Sequence, residues 1–586
     1  MASSTSGPLG AALKRLFARQ TQAGETARFS LPGGEPLFLT GEAAEHLYLL
    51  RTGRLAALRP KDDGGGRFLG LIRPGEPAGE MALIAGEPHS ADVVALRDCE
   101  IDSLPRAAFF RAVERDPKVM TELARLMLRR ARPAPQSGLP SEPSVFGFLG
   151  LHAGLAVRGL VEAIAEAVRA QGYSVAVAGI EASTASTEHF SNLEHGSDFV
   201  LYAAEADEEA WKLLMGRQVD RLFRVASGAQ PPPAGLNLTA GAALQAGRLL
   251  DLILIQTHDC VIPRGSPAWT SVVRPDRLFQ FRSGCLADAQ RLARVITGQA
   301  VGLVLSGGAA RAYAHIGAIR ALKARQVPID FVCGVSMGAI IAAGLAMGWD
   351  QEELERRIRQ AFVDTNPVDD IAFPLIAMTH GRKVRGRLAE HFGGQEICDL
   401  WLPFFCVSSN LTTGAYHLHR RGLLRDALTA SAALPGFLPP LLEGDDVLVD
   451  GAVMNNFPAD IMRGIQAGPI VGVDVSRGRS IAAHDVTPLS LFRWVINGDW
   501  RKGPPIVSLL MRAATMSTDR DLVAAREATD VLILPMVDNI EVRDWKAFDL
   551  AVAVGQSAAL EALDRLAVPV TELRRRPSLH RAFGGV

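Results

Sequence analysis

The stretch of sequence that most constrains the fold is IDFVCGVSMGAIIAAGLAMG, residues 329–348. The letters FVC end an apolar strand, GVSMG follows at 334–338, and AIIAAGLAM has the composition of a buried helix. A strand, a glycine-flanked turn and a helix in immediate succession are typical of an α/β sheet. The sequence therefore predicts that Ser336 lies at the tip of a sharp strand-to-helix turn.

This turn has the arrangement of a nucleophile elbow. Gly334 and Gly338 let the chain reverse around Ser336, and the helix N-terminus points backbone N–H groups at the region where negative charge would develop. A plain tight turn in a chain with 56 glycines is the alternative. The strand and helix on either side favour a catalytic Ser336.

A second glycine-rich loop lies upstream in LVLSGGAARAYAHIG, residues 303–317. The backbone N–H groups of Gly307 and Gly308 are unobstructed by side chains and can hold an oxyanion, with the fixed positive charge of Arg311 beside them. A phosphate-binding loop is the alternative, but the stretch has neither G-K-[ST] nor G-x-G-x-x-G spacing with an acidic ribose ligand. We therefore expect no nucleotide at this loop.

The base that would activate Ser336 is less obvious. An α/β-hydrolase would supply an acid and then a histidine downstream. The downstream histidines do not lie at obvious strand-end turns: they are His380, His391, His417, His419, His484 and His580. His315, one helical turn after Arg311, is either catalytic or a buried, hydrogen-bonded helix histidine, and the second interpretation is favoured.

The stretch DDVLVDGAVMNNFP, residues 445–458, offers a carboxylate instead. Val447–Val449 predicts a strand, with Asp450 and Gly451 in a turn at its end. From there Asp450 can reach Ser336 and serve as general base without a histidine. An Asp-Gly pair at a strand end is usually only a turn, so Asp450 is a candidate because the elbow and the oxyanion loop accompany it.

Composition restricts the function class and the cellular location. A length of 586 residues predicts two to four domains, and a net charge of −1 gives no bulk electrostatic reason to bind nucleic acid or an anionic membrane. The six cysteines are scattered without metal-ligand spacing, which indicates reduced thiols in a cytoplasmic protein and no metal site. No secretory leader or spanning segment is recognisable, so any contact with the inner membrane face would be peripheral.

The chain divides by pattern into three domains. Short apolar runs between turns predict a small all-β unit that ends in a helix, and alternating strands and helices follow a Pro- and Ser-rich linker. The predicted boundaries are a polar lead-in at 1–30, the β unit at 31–132, the linker at 133–144, a middle α/β domain at 145–298, and a third domain at 299–586 with its motif core at 301–475.

The elbow, the oxyanion loop and the Asp-Gly turn together resemble the motifs of the patatin-like phospholipases. That family carries G-G-G-x-R-G, G-x-S-x-G and D-G-[GA], and the resemblance implies a dyad of Ser336 and Asp450 with an oxyanion loop at 307–312. Ala309 and Ala312 stand where the family has glycine. Each adds a methyl group that narrows the loop or changes its φ preference, and we expect activity to survive.

The N-terminal stretch GEMALIAGEPHSADVVAL, residues 79–96, resembles the phosphate cassette of a cyclic-nucleotide-binding domain. Glu80, after Gly79, matches the glutamate that meets the ribose hydroxyl. His89 stands where the family has the arginine that pairs with the cyclic phosphate, and a mostly neutral imidazole is a poor substitute for a guanidinium. Cyclic nucleotide binding is therefore doubtful, and a β-roll kept for packing, interdomain contact or targeting is the alternative.

The whole arrangement resembles bacterial members of the neuropathy target esterase family of lysophospholipases. Three further stretches share this resemblance: PRGSPAW at 263–269, RLARVITGQAVGLVLSGG at 291–308 and DWKAFD at 544–549. The implied fold is multidomain, with an N-terminal β-roll, a middle α/β domain and a C-terminal patatin-like α/β/α domain. The middle domain lacks G-K-[ST], so we assign it no nucleoside triphosphate chemistry.

The resemblance implies hydrolysis of acyl esters of lysophospholipids or phospholipids through an acyl-enzyme, without a cofactor or metal. Trp494 and Trp500, within 488–514, suit an interfacial surface or simply a core helix and loop. Two other functions stay open. The chain can be a catalytically lapsed regulatory or scaffold protein, or a cyclic-nucleotide-responsive sensor with a minor esterase activity.

Overall fold

The computed structural model describes residues 8–60, 66–131, 144–234, 236, 250–365, 370–373, 376–476 and 518–578. The chain divides into two compact units. The first comprises Met1–Ala226, Pro233–Asp251 and Pro577–Val586, and the second comprises Ser227–Pro232 and Leu252–Arg576. The predicted linker, apart from Ser144, and the tryptophan-containing segment 488–514 lie outside the described residues.

The elements up to residue 227 combine a β-rich part with an α/β part. They are α1 Pro8–Gln22, β1 Ala27–Leu31, β2 Pro36–Phe38, β3 His46–Thr52, β4 Leu55–Pro60, β5 Gly66–Ile72, β6 Pro77–Ala78, α2 Glu80–Ala85, β7 Asp92–Ala95, β8 Cys99–Pro105, α3 Arg106–Arg115, α4 Lys118–Ala131, β9 Val145–Gly150, α5 Val157–Ala170, β10 Val175–Ala178, α6 Thr187–Gly196, β11 Phe199–Ala204, α7 Glu209–Gln218 and β12 Arg221–Ser227.

The β-rich part is a roll of two four-stranded sheets, with strand orders β1-β8-β3-β6 and β2-β7-β4-β5. All the strand pairs described in the roll are antiparallel. Leu50, Leu55 and Ile101 are buried between them, as expected for strands that pack one face on a core. The predicted β-rich N-terminal fold is confirmed.

Helix α1 packs into the same unit. Its Phe17 is buried in one cluster with Phe109 of α3 and Leu123 of α4. The buried positions of α4 follow the helical period predicted for this stretch. The segment predicted as a polar lead-in contains one short amphipathic patch, Leu9–Ala18, and this patch lies within the packed helix.

The α/β part of the first unit is built on parallel strands in the order β10-β11-β9-β12. Every residue of β11 is buried, as expected for a central parallel strand covered on both faces. Helix α5 is amphipathic, and it buries Val161, Ile164 and Val168 along one face. These elements match the alternating strand and helix pattern predicted from residue 145 onward.

A further set of strands and helices begins at residue 250 and belongs to the second unit from Leu252 onward. They are β13 Leu250–Gln256, α8 Ser266–Val273, β14 Arg277–Arg282, α9 Leu286–Thr297, β15 Gly302–Leu305, α10 Ala314–Ala324, β16 Phe331–Val335, α11 Met337–Ala346, α12 Gln351–Ile358, α13 Arg382–Phe392, β17 Phe404–Asn410, β18 Ala415–His419, α14 Leu424–Ser431, β19 Leu441–Glu443, β20 Asp446–Asp450, α15 Ala459–Ile465, β21 Ile470–Val473, α16 Thr518–Glu527, β22 Val531–Ile533 and α17 Phe548–Asp564.

An eight-stranded mixed sheet organises this unit, with the order β19-β20-β17-β16-β15-β21-β22 and β18 paired to β17. Strands β17, β16, β15, β21 and β22 are parallel, whereas β18, β19 and β20 join by antiparallel pairing. The carboxyl ends of the parallel strands therefore meet at one edge, where α/β proteins commonly place their sites.

The core of the second unit explains the apolar helix predicted after GVSMG. Every residue of α11 is buried, so this helix is apolar all round rather than amphipathic. Its side chains share one cluster with those of α10, α17 and the central strands. None of the helices in the described part of the chain is both long and apolar enough to span a bilayer.

Candidate active site

Ser336 lies between the end of β16 and the first residue of α11. Its backbone has φ +55° and ψ −127°, a region that residues other than glycine rarely adopt. A Cβ on Gly334 would lie 2.6 Å from the carbonyl oxygen of Gly338, and a Cβ on Gly338 would lie 2.4 Å from that of Ser306. Both glycines are therefore required by close backbone packing, which holds Ser336 in its strained conformation.

The hydroxyl of Ser336 donates a hydrogen bond to Asp450 Oδ2 at 2.7 Å. The other carboxylate oxygen, Oδ1, accepts the backbone N–H of Ala452 at 2.8 Å. Asp450 is 2% exposed. The nucleophile and the buried carboxylate are thus in direct contact, within the hydrogen-bond reach that general-base catalysis requires.

Sheet topology explains how residues so far apart in sequence meet. Parallel pairing places Val335 of β16 opposite Val407 of β17. Beyond that point β17 continues and pairs with the antiparallel β20, which places Asp450 opposite Ser408. The returning strand therefore ends at the level of the elbow, and its last residue faces Ser336.

Burial raises the pKa of Asp450 to about 6, while hydrogen bonds from the Ala452 N–H and the Ser336 hydroxyl lower it. The carboxyl is thus mostly ionised at neutral pH and can accept a proton. A base with a pKa near the working pH is favoured for proton transfer, because it combines availability with basicity.

The loop after β15 lies against the nucleophile. A Cβ on Gly307 would be 3.3 Å from Ser336 Cβ, which shows how closely the backbone approaches. The N–H of Gly307 donates to Asn456 Oδ1 at 3.1 Å. Gly308 has φ 177°, which is extended backbone, and Ala309 has φ +48°. Ala309 therefore occupies a left-handed conformation at a position where the related motif has glycine.

Arg311 lies in the short helical turn Ala309–Tyr313 and is 9% exposed. Its Nε donates to the carbonyl oxygen of Ile540 at 2.7 Å. His315 Nε2–H donates to the carbonyl oxygen of Ser306 at 2.8 Å, and burial lowers the pKa of His315 to about 4. His315 is thus a neutral, buried side chain bonded to the backbone.

Two residues that the sequence analysis did not single out complete the arrangement. The Oγ of Ser431, at the end of α14, accepts the N–H of Ser336 at 3.0 Å and donates to the carbonyl oxygen of Val407 at 2.7 Å. Asn456 holds Gly307 as described above. Asn456 follows the Asp-Gly turn in MNNFP and was visible as a polar residue there, whereas no local pattern marks Ser431.

The residues of the N-terminal cassette are also close together, but their polar groups are engaged. Glu80 is 2% exposed, and its Oε1 accepts Nη1 of Arg130 at 2.5 Å. The same Nη1 donates to the carbonyl oxygen of Pro77. Arg130 belongs to α4, so a helix of the same unit supplies the cation that the Glu80 carboxylate meets.

His89, in the C-terminal half of this cassette, lies close to Gly79 in space. The His89 ring stacks on Phe38 with centroids 3.7 Å apart, and burial lowers its pKa. A Cβ on Gly79, which has φ +82°, would lie 3.3 Å from His89 Cε1. His89 is therefore a neutral, stacked ring, without the charge that a phosphate-binding arginine provides.

Comparisons with known proteins find two family matches in this chain. Residues 303–463 match the family model of patatin-like phospholipases, and residues 28–116 match that of the cyclic nucleotide-binding domain. An uncharacterized NTE family protein of Mycobacterium tuberculosis is 29% identical over 554 residues, which cover 92% of each chain. Patatin-like phospholipase domain-containing protein 6 of Mus musculus is 27% identical over 605 residues, which cover 90% of this chain and 44% of that protein.

Proposed function

We propose a specific catalytic chemistry for this chain. It carries a patatin-like phospholipase domain and an N-terminal cyclic nucleotide-binding domain, and it is a lipid hydrolase. Ser336 is the nucleophile and Asp450 the general base of a serine esterase that cleaves acyl esters of lysophospholipids or phospholipids. The observation that carries the proposal is the 2.7 Å hydrogen bond from the Ser336 hydroxyl to the buried Asp450 carboxylate.

In the first half-reaction, Ser336 Oγ attacks the ester carbonyl carbon while its proton passes to Asp450 Oδ2. The tetrahedral oxyanion then collapses, the C–O bond to the alcohol breaks, and the proton on Asp450 goes to the departing alkoxide. In the second half-reaction, Asp450 takes a proton from water, which attacks the acyl-enzyme. The fatty acid leaves, and Ser336 regains its proton.

The glycine-rich loop supplies the oxyanion donor in this proposal. Gly307 and Gly308 lie one residue beyond the end of β15, and Gly307 lies against Ser336. The N–H of Gly307 already donates to Asn456, so we assign the role first to the N–H of Gly308, which has no hydrogen-bond partner among the described residues. Arg311 supports the loop from a buried position through its bond to Ile540.

Contact with a lipid surface is the second part of the proposal. Ile371, Phe373 and Ile376 are 69%, 82% and 74% exposed, an unusual concentration of large apolar side chains on one segment. The N–H of Met378, just after them, donates to the carbonyl oxygen of Gly436, and the N–H of Asp450 donates to that of Ala433. The apolar segment is therefore attached to the loop beside the base, where an incoming acyl chain would arrive.

The N-terminal domain works without a cyclic nucleotide in this proposal. Arg130 engages the carboxylate that would meet a ribose hydroxyl, and the neutral His89 ring stacks on Phe38 where a phosphate would need a cation. A ligand would have to break a buried ion pair before it could bind. The domain then serves packing or targeting.

The test of catalysis is fatty-acid release from lysophosphatidylcholine by wild type, Ser336→Ala and Asp450→Asn, with labelling by a fluorophosphonate serine probe. Release and labelling that Ser336→Ala abolishes, with the fold intact by circular dichroism, would support the dyad. A wild-type chain that neither releases acid from long or short esters nor reacts with the probe would favour a lapsed scaffold.

The test of surface contact is flotation with phosphatidylcholine vesicles. Phe373→Asp with Ile376→Asp should reduce the bound fraction, because two exposed apolar anchors become charged. Val261→Asp is the matched control, since Val261 is also 82% exposed in the same unit. Equal loss of binding in both variants would contradict a docking role for Ile371, Phe373 and Ile376.

A further inference from the structure

A cluster of three metal-ligating side chains lies in the second unit, apart from the dyad. His417 and His419 belong to β18, and Glu443 ends β19. One ligand atom from each residue lies within 4.8 Å of the other two. His417 is half-buried, His419 is buried and Glu443 is exposed. The proposed hydrolytic mechanism uses none of the three.

Strand geometry fixes the two histidines side by side. Residues two apart on a strand point to the same face, so a His-x-His sequence presents two imidazoles together. Pairing with β17 holds this register, with His417 opposite Ser408 and His419 opposite Cys406. The two ring centroids are 4.5 Å apart. The imidazoles are thus placed by the sheet and not by a flexible loop.

His419 has the surroundings expected of a metal ligand. A hydrogen bond of 2.8 Å joins Ser408 Oγ to its Nε2, which fixes the ring and leaves Nδ1 without a hydrogen-bond partner among the described residues. Metal-binding histidines are usually held in this way, with the second ring nitrogen bonded to another group.

All three residues line one cavity of about 500 Å³. The charged residues of its wall are the carboxylates Asp276 and Glu443 and the three arginines Arg277, Arg420 and Arg421, so the net positive charge opposes a cation held by electrostatics alone. Cys398 lines it too, but it is not among the three residues whose ligand atoms lie within 4.8 Å of one another. Binding of a cation here has to come from coordinate bonds to imidazole, which selects a transition ion over Mg²⁺ or Ca²⁺.

We propose that His417, His419 and Glu443 bind one Zn²⁺ ion with three protein ligands and an open fourth position facing the cavity. Two nitrogens and one carboxylate form a donor set that zinc accepts in tetrahedral geometry. Ligand atoms on a tetrahedral zinc ion lie about 3.3 Å apart, so the three ligand atoms must move closer together to bind it. The exposed Glu443 side chain can make this movement. The arginines around the open position suit an anionic fourth ligand.

The ion would connect two antiparallel additions to the sheet. β18 pairs with β17, and β19 pairs with β20, whose last residue is Asp450. An ion held by His417, His419 and Glu443 would thus link β18, on one side of β17, to the β19–β20 pair on the other side, which carries the proposed general base. Zinc should therefore raise the unfolding temperature of the whole chain.

The experiment is isothermal titration of Zn²⁺ into the full chain, prepared without a histidine tag and stripped with EDTA. We expect one equivalent bound, no heat with Mg²⁺ or Ca²⁺, and a Co²⁺ complex with the visible absorption of a four-coordinate site. His417→Ala and Glu443→Gln should each weaken Zn²⁺ binding at least a hundredfold. Ser408→Ala should weaken it about 10- to 100-fold, because it removes the support of a ligand ring.

His258→Ala is the matched control, since it removes an exposed histidine elsewhere in the second unit. It should leave the binding constant unchanged. Because His417 is only half-buried and Glu443 is exposed, His417→Ala and Glu443→Gln should both fold. Thermal unfolding without metal will verify this. No stoichiometric Zn²⁺ in the wild type, or equal binding in His417→Ala and His258→Ala, would overturn the proposal.

Discussion

The proposed catalytic site of the second unit and the 79–96 cassette of the first differ in how they use their polar groups. At the proposed site, the Ser336 hydroxyl meets Asp450, and the N–H of Gly308 is left without a partner among the described residues. In the cassette, the Glu80 carboxylate is bonded to Arg130 of the same unit. The residue types of a motif therefore do not reveal whether its groups are available, because a distant side chain can occupy them.

The largest expected effect sharpens the first half of this comparison. Ser336→Ala removes the nucleophile and should lower kcat/KM for lysophosphatidylcholine by at least about a thousandfold. The measurement is fatty-acid release under initial-rate conditions. Ser271→Ala, which changes an exposed serine in the same unit, should keep wild-type activity. Comparable rates in the two variants would remove Ser336 from the mechanism.

Asp450→Asn should lower kcat by roughly 10²- to 10⁴-fold, since general-base catalysis contributes this much. The amide keeps the shape of the side chain but accepts no proton at neutral pH. Single-turnover measurement of the acylation step would separate this effect from product release. An unchanged acylation rate would mean that another group activates Ser336.

Arg130→Ala should destabilise the first unit by about 2 kcal/mol, because it leaves the buried Glu80 carboxylate without its cation. Chemical denaturation of the full chain would measure the loss. The double change Glu80→Gln with Arg130→Met should recover much of it, since no buried charge is left unpaired. Cyclic AMP should not shift the unfolding temperature of the wild type. A clear shift would break the comparison, because the cassette would then be available after all.

The pH dependence tests the environment of Asp450. Its pKa is raised to about 6 by burial, and the base must be ionised to work. The activity should therefore fall as pH decreases through 6, with about a tenfold loss at pH 5 for a single titrating group. The measurement is kcat/KM from pH 4 to 8. A fall only near pH 4, the range of an exposed carboxyl, would contradict the effect of burial on Asp450.

The smallest expected effect concerns the oxyanion loop. Ala309 has φ +48°, so Ala309→Gly should relieve about 1 kcal/mol of backbone strain. The larger entropy of glycine in the unfolded state should offset part of this gain, so we expect a small net stabilisation. Thermal unfolding would measure it. Unchanged activity alongside higher stability would show that the alanine costs stability without impairing the loop.

The sequence analysis predicted those features that depend on local order. Strand, turn and helix around Ser336 follow from composition and spacing, and the antiparallel return of Asp450 is consistent with the strand predicted before it. Arg130 and Ser431 could not be predicted, because each reaches its partner through packing between elements distant in sequence. Glu443 was missed for the same reason, since its closeness to the His-x-His pair depends on how β19 and β20 add to the sheet.

The close approaches of backbone at Gly334, Gly338 and Gly451 have a consequence for genetic experiments. A Cβ at any of these positions would fall within 2.6 Å of a carbonyl oxygen. In a saturation library selected only for soluble expression, these three codons should already be depleted of every other amino acid. Codons for Ser336 and Asp450 should become restricted only when the selection demands turnover. The same library sequenced after each of the two selections would thus separate the residues that the backbone geometry requires from those that turnover requires.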